Sequence, residues 1–341
     1  RRAVRDLVFR AIRATTEPIS GRAALLALDD AAAWFDGSPH GPVPVADEEP
    51  KAEPGIVPAW LEAELSPVVG ADEWPALLER APLDLRVNAA RATREAMLAE
   101  FAGAEPTRLS PWRLRLPADS KVDDHPAFAD GMVEVQDEGS QLIALACGLA
   151  DGEFAIDLCA GAGGKALALA AAAPGARILA TDSNRARLSQ LGPRAERAGA
   201  TIETRLLNPP NEAAELAEFD GTADCVLVDA PCSGSGTWRR NPEGRWRLTP
   251  GRLDHLVATQ ARLLDLAAPL VKPGGRLVYA VCSLLSREGA KQIAAFHARH
   301  SSWIRAEPFI DGGRRDGEGR LLTPAHDGTD GFFVACLTRP C

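Results

Sequence analysis

Two cysteines stand in settings that could support covalent chemistry. Cys232 lies in the run Asp229-Ala-Pro-Cys-Ser-Gly-Ser-Gly, and Cys282 lies in Tyr279-Ala-Val-Cys-Ser. Each follows a short apolar run that predicts a β-strand. If the strands are consecutive parallel neighbours, their ends lie about 4.8 Å apart, and both thiols reach the edge of the sheet where ligands bind. A thiolate placed there could act as a nucleophile.

A glycine-rich turn precedes these cysteines. The run Asp157-Leu-Cys-Ala-Gly-Ala-Gly-Gly-Lys165 directly follows a predicted strand, and such a turn lets backbone N–H groups approach a ligand. Asp182 ends the next predicted strand and could bind two ribose hydroxyls. The alternative is that Asp182 caps the helix starting at Asn184. Together the two features favour a cofactor that contains a nucleoside.

The elements that must position these residues form an α/β pattern. Short apolar runs alternate with helical stretches, which predicts a parallel sheet with helices on both faces. The predicted strands are 154–158, 177–181, 202–207, 225–228, 276–281 and 332–337.

We predict three parts along the chain: a helical segment with an acidic linker at 1–55, a small α+β RNA-binding domain at 56–130, and a catalytic domain at 131–341. In the second part, 83–88 and 112–116 predict strands and 93–101 predicts a helix. The chain begins with Arg1 rather than Met, so we expect the true N-terminus to lie upstream.

Composition excludes several classes. The chain has 341 residues, 46% of them hydrophobic, yet no apolar run is long enough to predict a membrane span. Seven cysteines without CxxC spacing favour reduced thiols over disulfides or a metal site. We expect a cytoplasmic monomer without metal. The net charge of −9 says little about a local groove, and an arginine-rich stretch follows Cys232.

The motifs identify a resemblance. The chain resembles the Sun/Fmu/RsmB family of RNA 5-methylcytosine methyltransferases over about 56–341, through 83–88, 135–141, 157–165, 229–236, 279–283 and 329–333. Residues 1–35 resemble a shortened remnant of the NusB-like helical domain of bacterial members. The chain departs from the family pattern at Gly161, Ala162, Ala166, Asn208 and Val281, and after the second Cys-Ser only Glu288-Gly-Ala remains of an acidic run. None of these departures removes a reacting group.

The resemblance implies S-adenosylmethionine as cofactor and a class I methyltransferase fold, Rossmann-like, with a mostly parallel seven-stranded sheet whose last strand is antiparallel. Cofactor contacts then fall on Cys159, Ala160, Gly161, Ala162, Gly163, Gly164, Lys165, Asp182, Arg187, Asn208 and Asp229.

The resemblance also assigns roles. Cys282 is implied as the nucleophile that adds to cytosine C6, Cys232 as the thiol that assists release, and Asp229 as a partner of the cytosine edge. A thiolate at C6 makes C5 nucleophilic enough to accept a methyl group. Cys282 must be partly ionised, so a nearby cation helps, and Lys165 is a candidate. The substrate so implied is small-subunit rRNA, with tRNA as the alternative.

RNA contacts are expected from arginines. The target base must leave its stack, and stacking and phosphate contacts hold RNA. Trp238 and Trp246 could stack on bases, or they could belong to the core. The arginines predicted to contact RNA are Arg239, Arg240, Arg245, Arg247 and, in the small domain, Arg86 with Arg91.

Two other functions compete. A DNA cytosine-C5 methyltransferase would attack with the Pro-Cys thiol and carry a large recognition insert, whereas one helix fills the gap from Cys232 to Cys282. A non-catalytic RNA-binding or ribosome-assembly factor on the same scaffold would have no need of two thiols beside Asp182, Asp229 and Lys165.

Overall fold

A computed structural model describes residues 2–16 and 20–341. Its strands are β1 (Leu83–Val87), β2 (Glu105–Pro106), β3 (Arg113–Leu116), β4 (Val133–Val135), β5 (Phe154–Asp157), β6 (Arg177–Asp182), β7 (Glu203–Leu206), β8 (Ala223–Asp229), β9 (Val271–Val281), β10 (Ile304–Ala306), β11 (Arg314–Asp316), β12 (Gly319–Leu322) and β13 (Phe332–Thr338).

The α-helices are α1 (Arg2–Ala14), α2 (Gly21–Leu26), α3 (Ala59–Glu62), α4 (Arg94–Glu100), α5 (Pro126–Ala129), α6 (Glu138–Ala146), α7 (Gly164–Ala172), α8 (Arg185–Leu188), α9 (Leu191–Ala198), α10 (Glu212–Leu216), α11 (Gly244–Arg247), α12 (Pro250–Ala267), α13 (Ala290–Arg299) and α14 (Pro324–Asp327).

The large sheet carries the site. Its strand order is β11-β12-β13-β9-β8-β5-β6-β7, with β10 paired to β13. Strands β7, β6, β5, β8 and β9 run parallel, and β13 is antiparallel to β9. The chain reverses direction across the sheet between β5 and β8, so this is the switch point where α/β proteins bind ligands.

This sheet confirms the predicted α/β fold and its antiparallel last strand, but it is larger than the seven strands expected. The described residues give nine strands in it. Besides the six strands that the apolar runs predict, the sheet contains β10, β11 and β12, which are only three or four residues long and too short to stand out as apolar runs in the sequence.

Buried side chains cover both faces of the sheet. One core packs α12 and α13 against the face that includes Ile156, Val226 and Tyr279. The other packs α6 and α7 against the face that includes Ala155, Leu227 and Val278. Alternate residues of β5, β8 and β9 therefore enter different cores, as the period of a strand requires.

The small sheet has the order β2-β3-β1-β4. Because β4 pairs with β1, the small domain extends to Val135, beyond the boundary at 130 expected from the sequence. A buried ion-pair network anchors this sheet to α6. Arg113 donates to Asp84 at 2.6 Å and also to Glu138.

The N-terminal segment contacts the catalytic domain, since Nη2 of Arg245 donates to the carbonyl oxygens of Ile12 and Thr15, each at 2.5 Å. Ala11, Leu26 and Phe35 form a small core. The stretch 36–55 contains the predicted acidic linker, and most of its residues are exposed. It is held to this core where Ala52 is buried and where Glu49 pairs with Arg22.

Candidate active site

The two thiols lie side by side. Strands β8 and β9 are parallel neighbours, with Asp229 opposite Ala280. Cys232 and Cys282 follow the two strand ends, and their sulfur atoms are 3.4 Å apart. The backbone N–H of Gly236 donates to the carbonyl of Cys282 at 3.0 Å, so the Pro-Cys loop folds back over the second cysteine. Both cysteines are free and half-buried.

The glycine-rich turn closes tightly over Arg187. Gly161 has φ +57°, and a Cβ at this position would lie 2.3 Å from Nη2 of Arg187. Gly163 is the N-cap residue that precedes α7, and its φ of +83° lies in the left-handed region. Both positions therefore require glycine. The second residue of α7 is Lys165, which the turn directs toward the end of β8.

Asp182 organises this turn. Its Oδ2 accepts from the backbone N–H of Gly161 at 2.8 Å, and its Oδ1 accepts from that of Asn184 at 2.6 Å. The cap of α8 is Asn184, whose side chain accepts from the N–H of Arg187. The cap alternative for Asp182 is therefore wrong. Each carboxylate oxygen keeps a second lone pair for a ligand hydroxyl.

A cavity of about 430 Å³ joins these features. It is lined by residues of the turn, the strand ends and α12, namely Leu158, Cys159, Asp182, Ser183, Asn184, Arg187, Leu207, Glu212, Asp229, Ala230, Pro231, Cys232, Thr259, Arg262, Leu263, Leu266 and Cys282. Its volume is in the range of small-molecule sites. Both thiols and Asp182 thus face one space.

Three ionisable side chains interact beside the cavity: Asp229 lines it, whereas Lys165 and Asp157 interact with Asp229 without lining it. Nζ of Lys165 donates to Oδ2 of Asp229 at 2.7 Å. Burial lowers the pKa of Lys165, but the charge of Asp229 and the hydrogen bond to it outweigh burial, and the net shift is upward. Asp157 is fully buried, and among the described residues its carboxylate oxygens have no well-formed hydrogen bond, since the backbone N–H of Cys159 is close enough only to lower its pKa slightly. Burial, with repulsion from Asp229, raises the pKa of Asp157 to about 7.

Two residues that we did not assign from the sequence belong to this region. Asp157 begins the glycine-rich run, but its burial depends on packing that the sequence does not show. Glu288 accepts hydrogen bonds from Ser233 and Ser283, the serines that follow the two cysteines. The repeated Cys-Ser pair is the sequence signal that could have indicated a shared partner.

Asn208, expected to contact the cofactor, faces away. Its amide donates to Oε1 of Glu215 at 2.8 Å, and it does not line the cavity described above. The neighbouring Leu207 lines the cavity instead.

Most of the arginines expected to contact RNA are paired inside the protein. Arg239 and Arg240 both bind Asp137 and Asp330. Arg245 is buried and donates to the carbonyl of Thr15 at 2.5 Å. Ion pairs hold Arg239 and Arg240, and burial removes Arg245 from the surface, so the placement of these three residues does not favour the phosphate contacts we expected.

Of the remaining residues predicted to contact RNA, one is exposed and the others are buried or have partners within the protein. Arg86 is buried, and burial lowers its pKa to about 10. Arg247 has a side chain that is 71% exposed. Trp238 is buried in the core, and Nε1 of Trp246 donates to the carbonyl of Thr15. Arg247 therefore keeps the exposure that a phosphate contact needs, whereas the two tryptophans have structural partners.

Comparisons with known proteins agree with this geometry. The sequence profile of the 16S rRNA methyltransferase RsmB/F family matches residues 144–338, more than half of the chain. The chain belongs to this family. It is 34% identical over 292 residues to the ribosomal RNA small subunit methyltransferase B of Pectobacterium carotovorum, and 35% identical to that of Salmonella arizonae.

The alignment to each of these two relatives covers 83% of this chain and 66% of the relative. The chain therefore spans slightly less than two thirds of their length. Among solved structures, PH0851 superposes with a TM-score of 0.76 at 31% identity, covering 82% of this chain and 66% of that one. NSun6 from Pyrococcus horikoshii with SFG superposes at 0.69 and 19% identity, covering 78% and 92%, which supports the fold alone.

Membership of this methyltransferase family brings S-adenosylmethionine as the cofactor, and the cavity fits it. Asp182 lines the cavity and can accept from ribose hydroxyls, and the volume of the cavity suits a cofactor that contains a nucleoside. Among the described residues, no cluster of three or more possible metal ligands occurs. No helix in the described part of the chain is long and apolar enough to cross a membrane.

Proposed function

We propose that this protein is an S-adenosylmethionine-dependent RNA cytosine-C5 methyltransferase acting on small-subunit rRNA in the cytoplasm. The observation that carries the proposal is the 3.4 Å contact between the sulfur atoms of Cys232 and Cys282. This contact borders the cavity in which Asp182 and Asp229 lie. The curated relatives bear the name of small subunit rRNA methyltransferases, which favours rRNA over tRNA.

Two thiols suit cytosine methylation because C5 of cytosine is a poor nucleophile. In the proposed reaction, the thiolate of Cys282 forms a bond to C6, and the electron pair of the C5–C6 double bond becomes available at C5. S-adenosylmethionine supplies an electrophilic methyl group when bound. The C5 proton then leaves to a base, the C5–C6 double bond forms again, and the S–C6 bond breaks to return the Cys282 thiolate.

The contact between the thiols suggests which of them loses its proton first. The hydrogen bond to Cys282, burial and the charge of Cys282 raise the pKa of Cys232 well above its ordinary value. In the proposed order, Cys232 therefore keeps its proton during the attack by Cys282. Once Cys282 is bound to C6 it carries no charge, so its contribution to the raised pKa of Cys232 is removed, and in the proposed sequence Cys232 then gives its proton to solvent. Cys232 is then the base that takes the C5 proton.

Asp229 and Lys165 are proposed to assist the reaction, Asp229 by binding the cytosine and Lys165 by favouring the Cys282 thiolate. The side chain of Asp229 is 28% exposed toward the cavity while it holds Nζ of Lys165. A carboxylate there can accept a hydrogen bond from the cytosine edge, which favours the N3-protonated adduct. The ammonium of Lys165 interacts electrostatically with Cys282, so it favours the thiolate form of the nucleophile.

A groove between α1 and the loop after Cys232 suits the RNA backbone. It has a volume of about 550 Å³ and is lined by Arg5, Asp6, Phe9, Arg10, Arg13, Arg80, Ala81, Arg239 and Arg240. Burial and the nearby charge of Arg80 lower the pKa of Arg13. Two guanidinium groups that repel each other make a favourable place for a phosphate. We therefore propose that Arg13, Arg80 and the exposed Arg247 contact the phosphates. Arg239 and Arg240 are no longer assigned to this role.

The test is methyl transfer from labelled S-adenosylmethionine to three purified polymers: 16S rRNA, tRNA and duplex DNA. We expect label in 16S rRNA, located at C5 of one cytosine by bisulfite sequencing. Label in tRNA alone would assign the alternative RNA substrate, and label in DNA alone would refute an RNA enzyme. Failure to bind S-adenosylmethionine in calorimetry would favour a non-catalytic RNA-binding factor.

A further inference from the structure

Glu288 joins the two cysteine-bearing turns. Its side chain is fully buried. Oε1 accepts from the N–H of Ser233 at 2.8 Å and from Nε2 of Gln260 at 2.9 Å. Oε2 accepts from the hydroxyl groups of Ser233 and Ser283, each at 2.5 Å. None of these four donors carries a charge, so the carboxylate is held by neutral hydrogen bonds rather than by an ion pair.

The backbone of Glu288 is held as well. Its carbonyl accepts from the hydroxyl of Tyr279 at 2.7 Å, and its N–H donates to the carbonyl of Leu285. Tyr279 lies in β9, three residues before Cys282. Hydrogen bonds therefore hold both the side chain and the backbone of Glu288, and the bond from Tyr279 links it to the strand that carries the nucleophile.

The serines connect Glu288 to the thiols. Ser233 follows Cys232 and Ser283 follows Cys282, so each sulfur lies one residue from a serine bound to the same carboxylate. We propose that Glu288 is a positioning residue that holds the two Cys-Ser turns together and thereby assigns Cys282 to attack and Cys232 to proton transfer. This deepens the proposed function and rests on it for the chemical roles of the thiols.

The charges around the thiols are asymmetric. Glu288 is one of the groups that raise the pKa of Cys232, after the contact with Cys282 and burial. On the other side, Lys165 interacts with Cys282 and is shared with Asp229. Tyr279 is buried and its pKa is raised by burial, so it contributes no charge at neutral pH. A negative charge near Cys232 and a positive charge near Cys282 favour a thiolate on Cys282.

Two substitutions separate position from charge. In Glu288→Gln, the amide oxygen and NH₂ group can retain most of the hydrogen bonds because serine hydroxyls rotate, but the charge is lost. In Glu288→Ala, both the bonds and the charge are lost. The matched control is Glu138→Gln, which alters another buried carboxylate whose partners are Thr107, Ser110 and Arg113.

The experiment uses the free protein, without RNA or S-adenosylmethionine. The pH dependence of iodoacetamide alkylation is measured separately for Cys232 and Cys282 by peptide mass spectrometry. The rate at which diamide joins the two thiols measures their proximity: a sulfur–sulfur bond forms, and diamide is reduced by the two hydrogens. Both readouts survive if the protein proves to methylate nothing, so failure of the proposed function is distinguishable from failure of this inference.

We expect Glu288→Gln to lower the alkylation midpoint of Cys232 by about one pH unit, because a like charge has been removed. The midpoint of Cys282 should shift less. The rate of disulfide formation should stay within about twofold of wild type. We expect Glu288→Ala to slow disulfide formation at least tenfold. Equal shifts of both thiols in Glu288→Gln would overturn the assignment, as would the same pattern in Glu138→Gln. If Glu288→Ala does not fold, Ser233→Ala with Ser283→Ala replaces it; an unchanged disulfide rate in whichever variant is used contradicts the positioning role.

Discussion

Cys232 and Cys282 are separated by 50 residues in the chain, yet their sulfur atoms lie 3.4 Å apart. The pairing of β8 with β9 brings them together, since Asp229 lies opposite Ala280 and each cysteine follows within three residues. The contact means that the ionisation of one thiol affects the other. In the mechanism proposed above, only one thiol of this pair carries a negative charge at a time.

Loss of the Asp182 carboxylate is expected to weaken S-adenosylmethionine binding. Asp182→Ala should raise the Kd at least tenfold, about 1.4 kcal/mol, because the ribose hydroxyls and the N–H of Gly161 lose their acceptor. Isothermal calorimetry measures this. The control is Asn184→Ala, which removes the cap of α8 but keeps the carboxylate, and it should change the Kd less than about threefold. Equal losses in both variants would mean that Asp182 acts only through the local fold.

Asp157 should make stability depend on pH. Its pKa is raised from 3.8 to about 7 in the folded protein, so the folded state binds more protons than the unfolded state between these values. Stability therefore falls as pH rises from about 4 to 7. Asp157→Asn should remove this slope and increase the free energy of unfolding at pH 8 by about 1–4 kcal/mol.

Urea unfolding of the free wild type and of Asp157→Asn at pH 5 and pH 8 checks this prediction. The difference between the two proteins should be larger at pH 8. A variant that is less stable than wild type at pH 8 would show that the Asp157 carboxylate has a stabilising partner when ionised.

The arginine groove should control the salt dependence of RNA binding. Replacing Arg13 and Arg80 with Gln should lower RNA affinity and reduce the slope of log K against log salt by about one to two, since two phosphate contacts no longer release counterions. Filter binding at several salt concentrations measures the slope. Arg299→Gln, which breaks a surface pair with Asp265, is the control. An unchanged slope in the double variant would remove the groove from the RNA path.

The central sheet could be predicted because its strands are apolar and follow one another in a repeating βα pattern. The runs of β5, β8 and β9 are buried, and the loops after them carry the residues singled out from the sequence. The proximity of the two thiols could be predicted because β8 and β9 were expected to be parallel neighbours, as they are. Their chemical roles do not follow from geometry alone and remain predictions.

The arginines show what the sequence could not reveal. Arg239 looks like part of a basic stretch, but its partners Asp137 and Asp330 are 102 and 91 residues away. Local charge counts cannot indicate that such distant carboxylates fold against it. Asp157 and Glu288 were missed for the same reason, since burial and hydrogen bonding by distant turns define what each carboxylate does.

The most direct test of the proposed mechanism separates the two thiols. Wild type, Cys232→Ala and Cys282→Ala are incubated with target RNA and S-adenosylmethionine, and the products are resolved by denaturing electrophoresis. Cys232→Ala should accumulate a covalent protein–RNA adduct, because attack at C6 proceeds and release is slow. Cys282→Ala should form no adduct and transfer no methyl group. An adduct trapped by Cys282→Ala and absent with Cys232→Ala would contradict the assignment, and no adduct with either would contradict covalent catalysis.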